Sequence, residues 1–198
     1  TDPDPRLCTK RLTNRAVQCI ENHKDEPFFL YIPHIMPHVP IFASDRFRGK
    51  SARGLYGDVI EEIDWSVGEI VKTLDRLSLT ENTLVIFTND NGPFLSYGTH
   101  AGQSGALRGG KLTTFEGGVR VPMVARWPGQ IPAGHSCSTP IIYLDFLPTF
   151  CHLAKAPLPR NTIDGINITD ILEGKTNTVE GRDGLVFYAG SELQAVRD

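Results

Sequence analysis

Four oxygen-bearing side chains in a row, Thr88-Asn89-Asp90-Asn91, followed by Gly92-Pro93, are the first residues of this 198-residue chain whose types suit chemistry. Asp90 brings a carboxylate and Asn91 an amide oxygen, the hard ligands that Ca²⁺ or Mg²⁺ prefers. The same run is ordinary turn chemistry, and on this stretch alone both readings stand. A second candidate is Pro33-His34-Ile35-Met36-Pro37-His38-Val39-Pro40, where the prolines fix φ and withdraw amide donors. It carries two imidazoles on a stiff loop, as site groups or as plain surface residues. The third lies between Gly98 and Gly118, a glycine-rich stretch holding His100, Arg108 and Lys111, with Arg120 just beyond. It reads as a backbone wall that approaches an anion, with Lys111 reaching in as a point charge. A flexible linker is the plainer reading, but Leu107, Phe115 and Val119 give the stretch apolar anchors.

Elements must hold these groups in place. Leu84-Val85-Ile86-Phe87 is an unbroken apolar run, which suits a strand buried on both faces, and it delivers the chain to Asp90. Phe28 to Ile32 reads as a short strand ahead of the histidine loop. Between them Leu55, Val59, Ile63, Val67, Ile70, Leu74 and Leu77 recur at helical spacing, with Asp58, Glu61, Glu62 and Glu69 at other positions. Strand, long helix and strand make a βαβ unit, most simply parallel, and that geometry puts His38 and Asp90 at one sheet edge. Ligands bind at such edges in open α/β sheets.

Before this unit, Thr9 caps a helix carrying Leu12, Ala16, Cys19 and Ile20 on one face. After it, a strand is expected from Val121 to Trp127. Asp145 then caps a helix over 146–154, and a second short helix follows near Ile168–Leu172. Gly174 to Gly184 reads as linker. Leu185 to Tyr188 begins a last strand, with no partner strand expected before Asp198.

Composition narrows the class. The 40% hydrophobic and 22% charged content is that of a globular protein, and a net charge of −3 without a basic stripe argues against nucleic acid. No apolar run approaches the length of a membrane span. Cys8, Cys19, Cys137 and Cys151 lack metal-type spacing. The chain opens on Thr1-Asp2-Pro3, without an initiator Met or a signal peptide, which is expected of a piece of something longer.

Several ordered motifs together resemble the sulfatases, arylsulfatases above all. They are Pro27-Phe28-Phe29-Leu30-Tyr31 with His38-Val39-Pro40; Gly57 to Asp64; Thr88 to Gly92; Leu107-Arg108-Gly109-Gly110-Lys111; Glu116 to Pro122; and Asp145 to Thr149. The resemblance implies an alkaline-phosphatase-like α/β sandwich, mostly parallel and flanked by helices. Residues 1–175 would be the second half of its catalytic domain, and 176–198 a linker and the first strand of a smaller α+β subdomain. It implies hydrolysis of a sulfate ester, aryl or carbohydrate, by a formylglycine nucleophile and a divalent cation, Ca²⁺ or Mg²⁺. Asp90 and Asn91 match metal ligands, Lys111 the lysine on the sulfate oxygens, and His38 the histidine near the ester oxygen. His100 is a further substrate contact, while Arg108 and Arg120 are structural. A secreted, periplasmic or lysosomal location goes with the family.

The family's formylglycine motif is expected outside this chain, because Cys8 is followed by Thr-Lys-Arg and Cys19 by Ile-Glu-Asn. Residues 1–198 alone are therefore expected to be inactive and, with apolar surface uncovered, to self-associate. Two other classes remain open at this point: a metal-dependent phosphatase or phosphodiesterase on the same scaffold, and a non-catalytic fragment.

Overall fold

A computed structural model describes residues 4–197; Thr1-Asp2-Pro3 and the final Asp198 lie outside the described residues. Helix α1 (Cys8–Asn22) follows a 3-10 turn at Pro5–Leu7 that Asp4 caps by accepting the Arg6 amide. Thr9 is not the cap; it lies inside the helix and is buried. Thr13 is buried beside it, and its Oγ1 hydrogen-bonds the Thr9 carbonyl (2.7 Å) and Ser66 Oγ of the next helix (2.6 Å). The helix stripe is thus Thr9, Thr13, Ala16 and Ile20. Its polar members are invisible to a hydrophobicity pattern because their hydroxyls are satisfied on site.

Helix α2 (Gly54–Arg76) is the long amphipathic helix that the apolar spacing calls for, with Val59, Ile63, Ile70 and Leu74 buried. Its N-terminal half also buries two carboxylates, Asp58 and Glu62. Asp58 accepts the amides of Gly49 (2.7 Å), Lys50 (3.0 Å) and Ser51 (2.8 Å), and Glu62 accepts that of Ser44 (2.8 Å). The helix therefore clips the whole 44–51 loop. The Ser51 amide first, then those of Gly49 and Lys50, hold the Asp58 carboxyl below the usual carboxylate range, more than offsetting its desolvation.

A lowered pKa in the fold means that this stabilisation is complete above about pH 4 and is lost as pH falls from there through the folded value. Asp58→Asn in the full-length protein is expected to cost roughly 1–3 kcal/mol at neutral pH, since an amide serves these donors poorly. Its urea-unfolding free energy should also fall less steeply than wild type toward pH 3. Parallel pH profiles for the two proteins would remove Asp58 from this role.

Residues 28–32 form no strand. They run extended, with Phe29 and Tyr31 exposed between the half-buried Phe28, Leu30 and Ile32. That alternation is a strand's, but no strand ladder includes it among the described residues. The parallel βαβ unit is accordingly not assembled here. Strand β1 (Val85–Thr88) pairs instead with β2 (Met123–Arg126) in a two-stranded sheet, and it is half-buried, with Phe87 exposed. Leu185–Tyr188 does find a partner: β3 (Leu185–Ala189) and β4 (Glu192–Arg197) form an antiparallel hairpin. The expectation of an unpaired last strand missed the turn at Gly190, whose φ of +62° suits glycine.

The chain divides into two units. One comprises the chain up to residue 83 together with 88–122; the other takes 84–87 and everything after 122. In the first, Met36, Ile41, Ala43, Val59 and Ile63 form the core. In the second, Ile168, Ile171 and Leu172 gather Met123 and Ala125 of the sheet and Leu84 just before it. Short helices α3 (Glu116–Val119) in the first unit, and α4 (Phe146–Leu153) and α5 (Thr169–Leu172) in the second, complete the list among the described residues. Asp145 precedes α4 but does not cap it with its side chain. Fully buried, its carboxylate takes the amides of Ile142 (2.8 Å) and Ile166 (3.0 Å) and the guanidinium of Arg182.

Candidate active site

Every candidate site residue falls in the first unit. Two loops are zipped there by their backbones. Gly92 N–H donates to the Gly118 carbonyl (2.9 Å), Lys111 N–H to that of Pro93 (2.9 Å), and Gly117 N–H to that of Arg108 (2.8 Å). Gly92 and Gly110 serve close approach: a Cβ on Gly92 would stand 1.8 Å from the Gly117 oxygen, and one on Gly110 2.4 Å from that of Pro93, while Gly109 also takes a φ of +74°. The backbone wall read from the glycine spacing is real. It sets Asp90 and Asn91, at one end of the 90–93 loop, in one rigid piece with Lys111.

Lys111 is half-buried, its ammonium 5.9 Å from the centre of the Phe94 ring. Among the described residues no carboxylate pairs with it. A cation on an aromatic face without a counter-charge is chemically suited to an anion. The two arginines nearby are engaged. Arg108 stacks 3.8 Å from the centre of the Phe115 ring, and Arg120 pairs with Glu116 at 3.3 Å, both within the wall itself.

His38 is exposed on the turn after Met36, between the cis peptides Met36–Pro37 and Val39–Pro40. Its Nδ1 lies 2.7 Å from the Val39 carbonyl. A carbonyl only accepts, so Nδ1 holds the proton and Nε2 is left to exchange one with a ligand. Met36 and Val39 seat the turn on α2 beside Tyr56. His100 ends a 3-10 turn at Leu95–His100 and is exposed. Two residues on, Gly102 leaves only 2.5 Å between an added Cβ and the Tyr56 hydroxyl. Tyr56 thus neighbours both histidine-bearing segments, which the apolar pattern gave no reason to single out. Among the described residues no hydrogen bond joins either histidine to Asp90, Asn91 or Lys111. His34, in the same loop as His38, is half-buried with Nδ1 unpartnered, and burial pulls its pKa below the usual imidazole value. It is suited to remain neutral.

Asn91 donates its amide nitrogen to Asp90 Oδ1 (3.1 Å) and the Gly92 carbonyl (3.3 Å), and the Asp90 carboxylate beside it is exposed. Two adjacent hard oxygen donors fit Ca²⁺ or Mg²⁺ by chemistry. Among the described residues no cluster of three or more His, Cys, Asp or Glu suited to a metal occurs.

Comparison with known proteins gives the same direction. The Sulfatase family profile matches residues 3–156. The steryl-sulfatase of Homo sapiens is 42% identical over 195 residues, covering 96% of this chain and 33% of that protein. The arylsulfatase A of Homo sapiens is 44% identical over 167 residues, covering 83% and 32%. The crystal structure of the PsFucS1 sulfatase from Pseudoalteromonas sp. superposes with a TM-score of 0.90 at 31% identity, over 97% of this chain and 39% of that one. The chain spans about a third of the length of the curated relatives it matches.

Proposed function

The chain belongs to the sulfatase family, with its alkaline-phosphatase-like α/β fold, and from that premise we propose that the whole protein hydrolyses sulfate esters. One observation carries the reading: an unpaired ammonium, Lys111, is zipped backbone to backbone to the loop bearing Asp90 and Asn91. In this reading Lys111 lies against the sulfate oxygens and offsets charge as it grows on them. His38, its Nδ1 tied to the Val39 carbonyl, delivers a proton from Nε2 to the departing alcohol or phenol oxygen. Asp90 and Asn91 would hold part of the shell of a Ca²⁺ or Mg²⁺, and a formylglycine outside this chain would supply the nucleophile. His100 is assigned a contact to the rest of the substrate.

Residues 1–175 are assigned to the catalytic domain and 176–198 to the start of a smaller subdomain. A secreted, periplasmic or lysosomal setting is proposed with the family. Among the described residues no helix is long and apolar enough to cross a membrane.

The full-length protein is expected to release sulfate from 4-nitrophenyl sulfate and to purify with about one divalent cation per chain. Asp90→Ala should lose that cation. Unchanged metal content by elemental analysis would defeat the assignment of Asp90, and phosphate ester turnover without sulfate ester turnover would defeat the sulfatase reading.

A further inference from the structure

Asn167-Ile168-Thr169, at the start of α5, has no part in the sulfate chemistry: it lies in the second unit, whereas every candidate site residue lies in the first. Its pattern, Asn-x-Thr with x other than proline, is the acceptor for an N-linked oligosaccharide, and it occurs once in these 198 residues. A tripeptide so short also arises by accident, so the pattern alone decides nothing. The fold, however, treats its three residues very differently. Ile168 is 1% exposed and Thr169 8%; the first sits in the second unit's core, its N–H donating to Thr149 Oγ1 (3.0 Å). Asn167 is exposed. Its Oδ1 accepts both the Thr169 N–H (3.0 Å) and the Thr169 hydroxyl (2.6 Å), whereas its Nδ2 makes no hydrogen bond among the described residues.

That division suits a carbohydrate anchor. The atom that would carry the sugar is the one the fold leaves unbonded, while the atom folding uses is the oxygen, which glycosylation does not touch. A glycan on Nδ2 leaves both Oδ1 hydrogen bonds in place, on an exposed residue of the kind that bears such bulky, solubilising groups. We propose that Asn167 is an N-glycosylation site whose donor is a lipid-pyrophosphate-linked oligosaccharide. Nδ2 attacks the anomeric carbon of that donor. The C1–O bond to the pyrophosphate breaks, a C1–Nδ2 bond forms, one amide proton passes to a base of the transferase, and the lipid pyrophosphate leaves. Because the Thr169 hydroxyl that completes the acceptor is buried and bonded in the fold, transfer precedes the packing of α5 and takes place as the chain enters the secretory lumen. The inference rests on the proposed export of this protein and not on its sulfatase chemistry.

The test uses the full-length protein expressed in a eukaryotic cell line. Trypsin cuts after Arg160 and Lys175 and releases residues 161–175, so the mass of this peptide reads the site by itself. Most copies are expected to carry N-acetylhexosamine and hexose, and peptide N-glycosidase in heavy-oxygen water should remove the sugar and leave a labelled aspartate at 167. Asn167→Asp and Thr169→Ala should each abolish the modification. Asn167→Asp keeps the oxygen to which Thr169 donates, so its melting temperature and its turnover of 4-nitrophenyl sulfate should match those of deglycosylated wild type. That comparison separates a lost sugar from a damaged fold. Recovery of an unmodified 161–175 peptide from protein that has passed through the secretory lumen would overturn the proposal and leave the export reading standing. A sugar on this peptide that resists the glycosidase and survives Asn167→Asp would lie on a hydroxyl and overturn it equally. Retention of the protein in the cytosol, with the peptide unmodified, would bring down the export reading and this inference with it.

Discussion

Replacing His38 with alanine in the full-length enzyme is expected to lower kcat/KM by about 10²–10⁴-fold on esters of weakly acidic alcohols, and far less on an activated nitrophenyl ester. The expectation comes from one hydrogen bond. With Nδ1 bound to the Val39 carbonyl, the imidazole has its proton traffic confined to Nε2, and the turn seated on α2 holds the ring still. A departing alkoxide of high pKa needs that proton, whereas a nitrophenolate leaves without it. Across a series of substituted phenyl sulfates, log kcat/KM should therefore fall more steeply with leaving-group pKa in His38→Ala than in wild type. A slope no steeper than wild type would leave His38 as a sulfate contact and remove it from the acid role.

Lys111→Ala is expected to cost about 10²–10³-fold, spread evenly over good and poor leaving groups. Sulfate is the part every substrate shares, and the ammonium is the group assigned to it. The substitution should leave the fold alone, because the anchor at this position is the backbone N–H to Pro93, which alanine keeps, and Nζ makes no ion pair among the described residues. Melting temperature and the leaving-group series together check this. A defect that tracked leaving-group pKa would place Lys111 at the ester oxygen instead. Since the two expected losses overlap in size, only the shape of the dependence tells the two residues apart.

Much of this arrangement is legible in the chain itself. The period of Val59, Ile63, Ile70 and Leu74 names α2, and the apolar run before Asp90 locates β1 to within a residue. The pairs Gly109-Gly110 and Gly117-Gly118 announce backbones in contact, and that contact is what joins Lys111 to the Asp90 loop. What escaped the pattern has physical reasons. Thr13 and Asp58 are buried with a hydroxyl and loop amides satisfying them, and Glu62 is buried with one carboxylate oxygen on the Ser44 amide, pairings that no hydrophobicity count contains. Residues 28–32 carry strand-like alternation, yet a strand is a property of a pair, and pairing is not written in one segment. The φ of +72° at Leu112 belongs to the turn that Thr113 N–H closes on the Gly110 carbonyl, and nothing in leucine's chemistry signals it.

The zip between the two loops also bears on how such a protein diversifies. By joining Pro93 to Lys111 it closes the stretch 94–110 into a loop whose ends are fixed whatever lies between them. Lengthening a loop with tethered ends is cheap, about 0.6 kcal/mol for each doubling. Phe94, Leu95, Gly102, Arg108, Gly109 and Gly110 are seated in the wall or against Tyr56, but the tip around Gly105, where an added Cβ would meet nothing within 4 Å, is free to vary in length at little cost to stability. Lys111 and the Asp90 loop stay put meanwhile. In the proposed reading this separates a fixed grip on the sulfate from an exchangeable loop tip, so that length can change there without rebuilding the site.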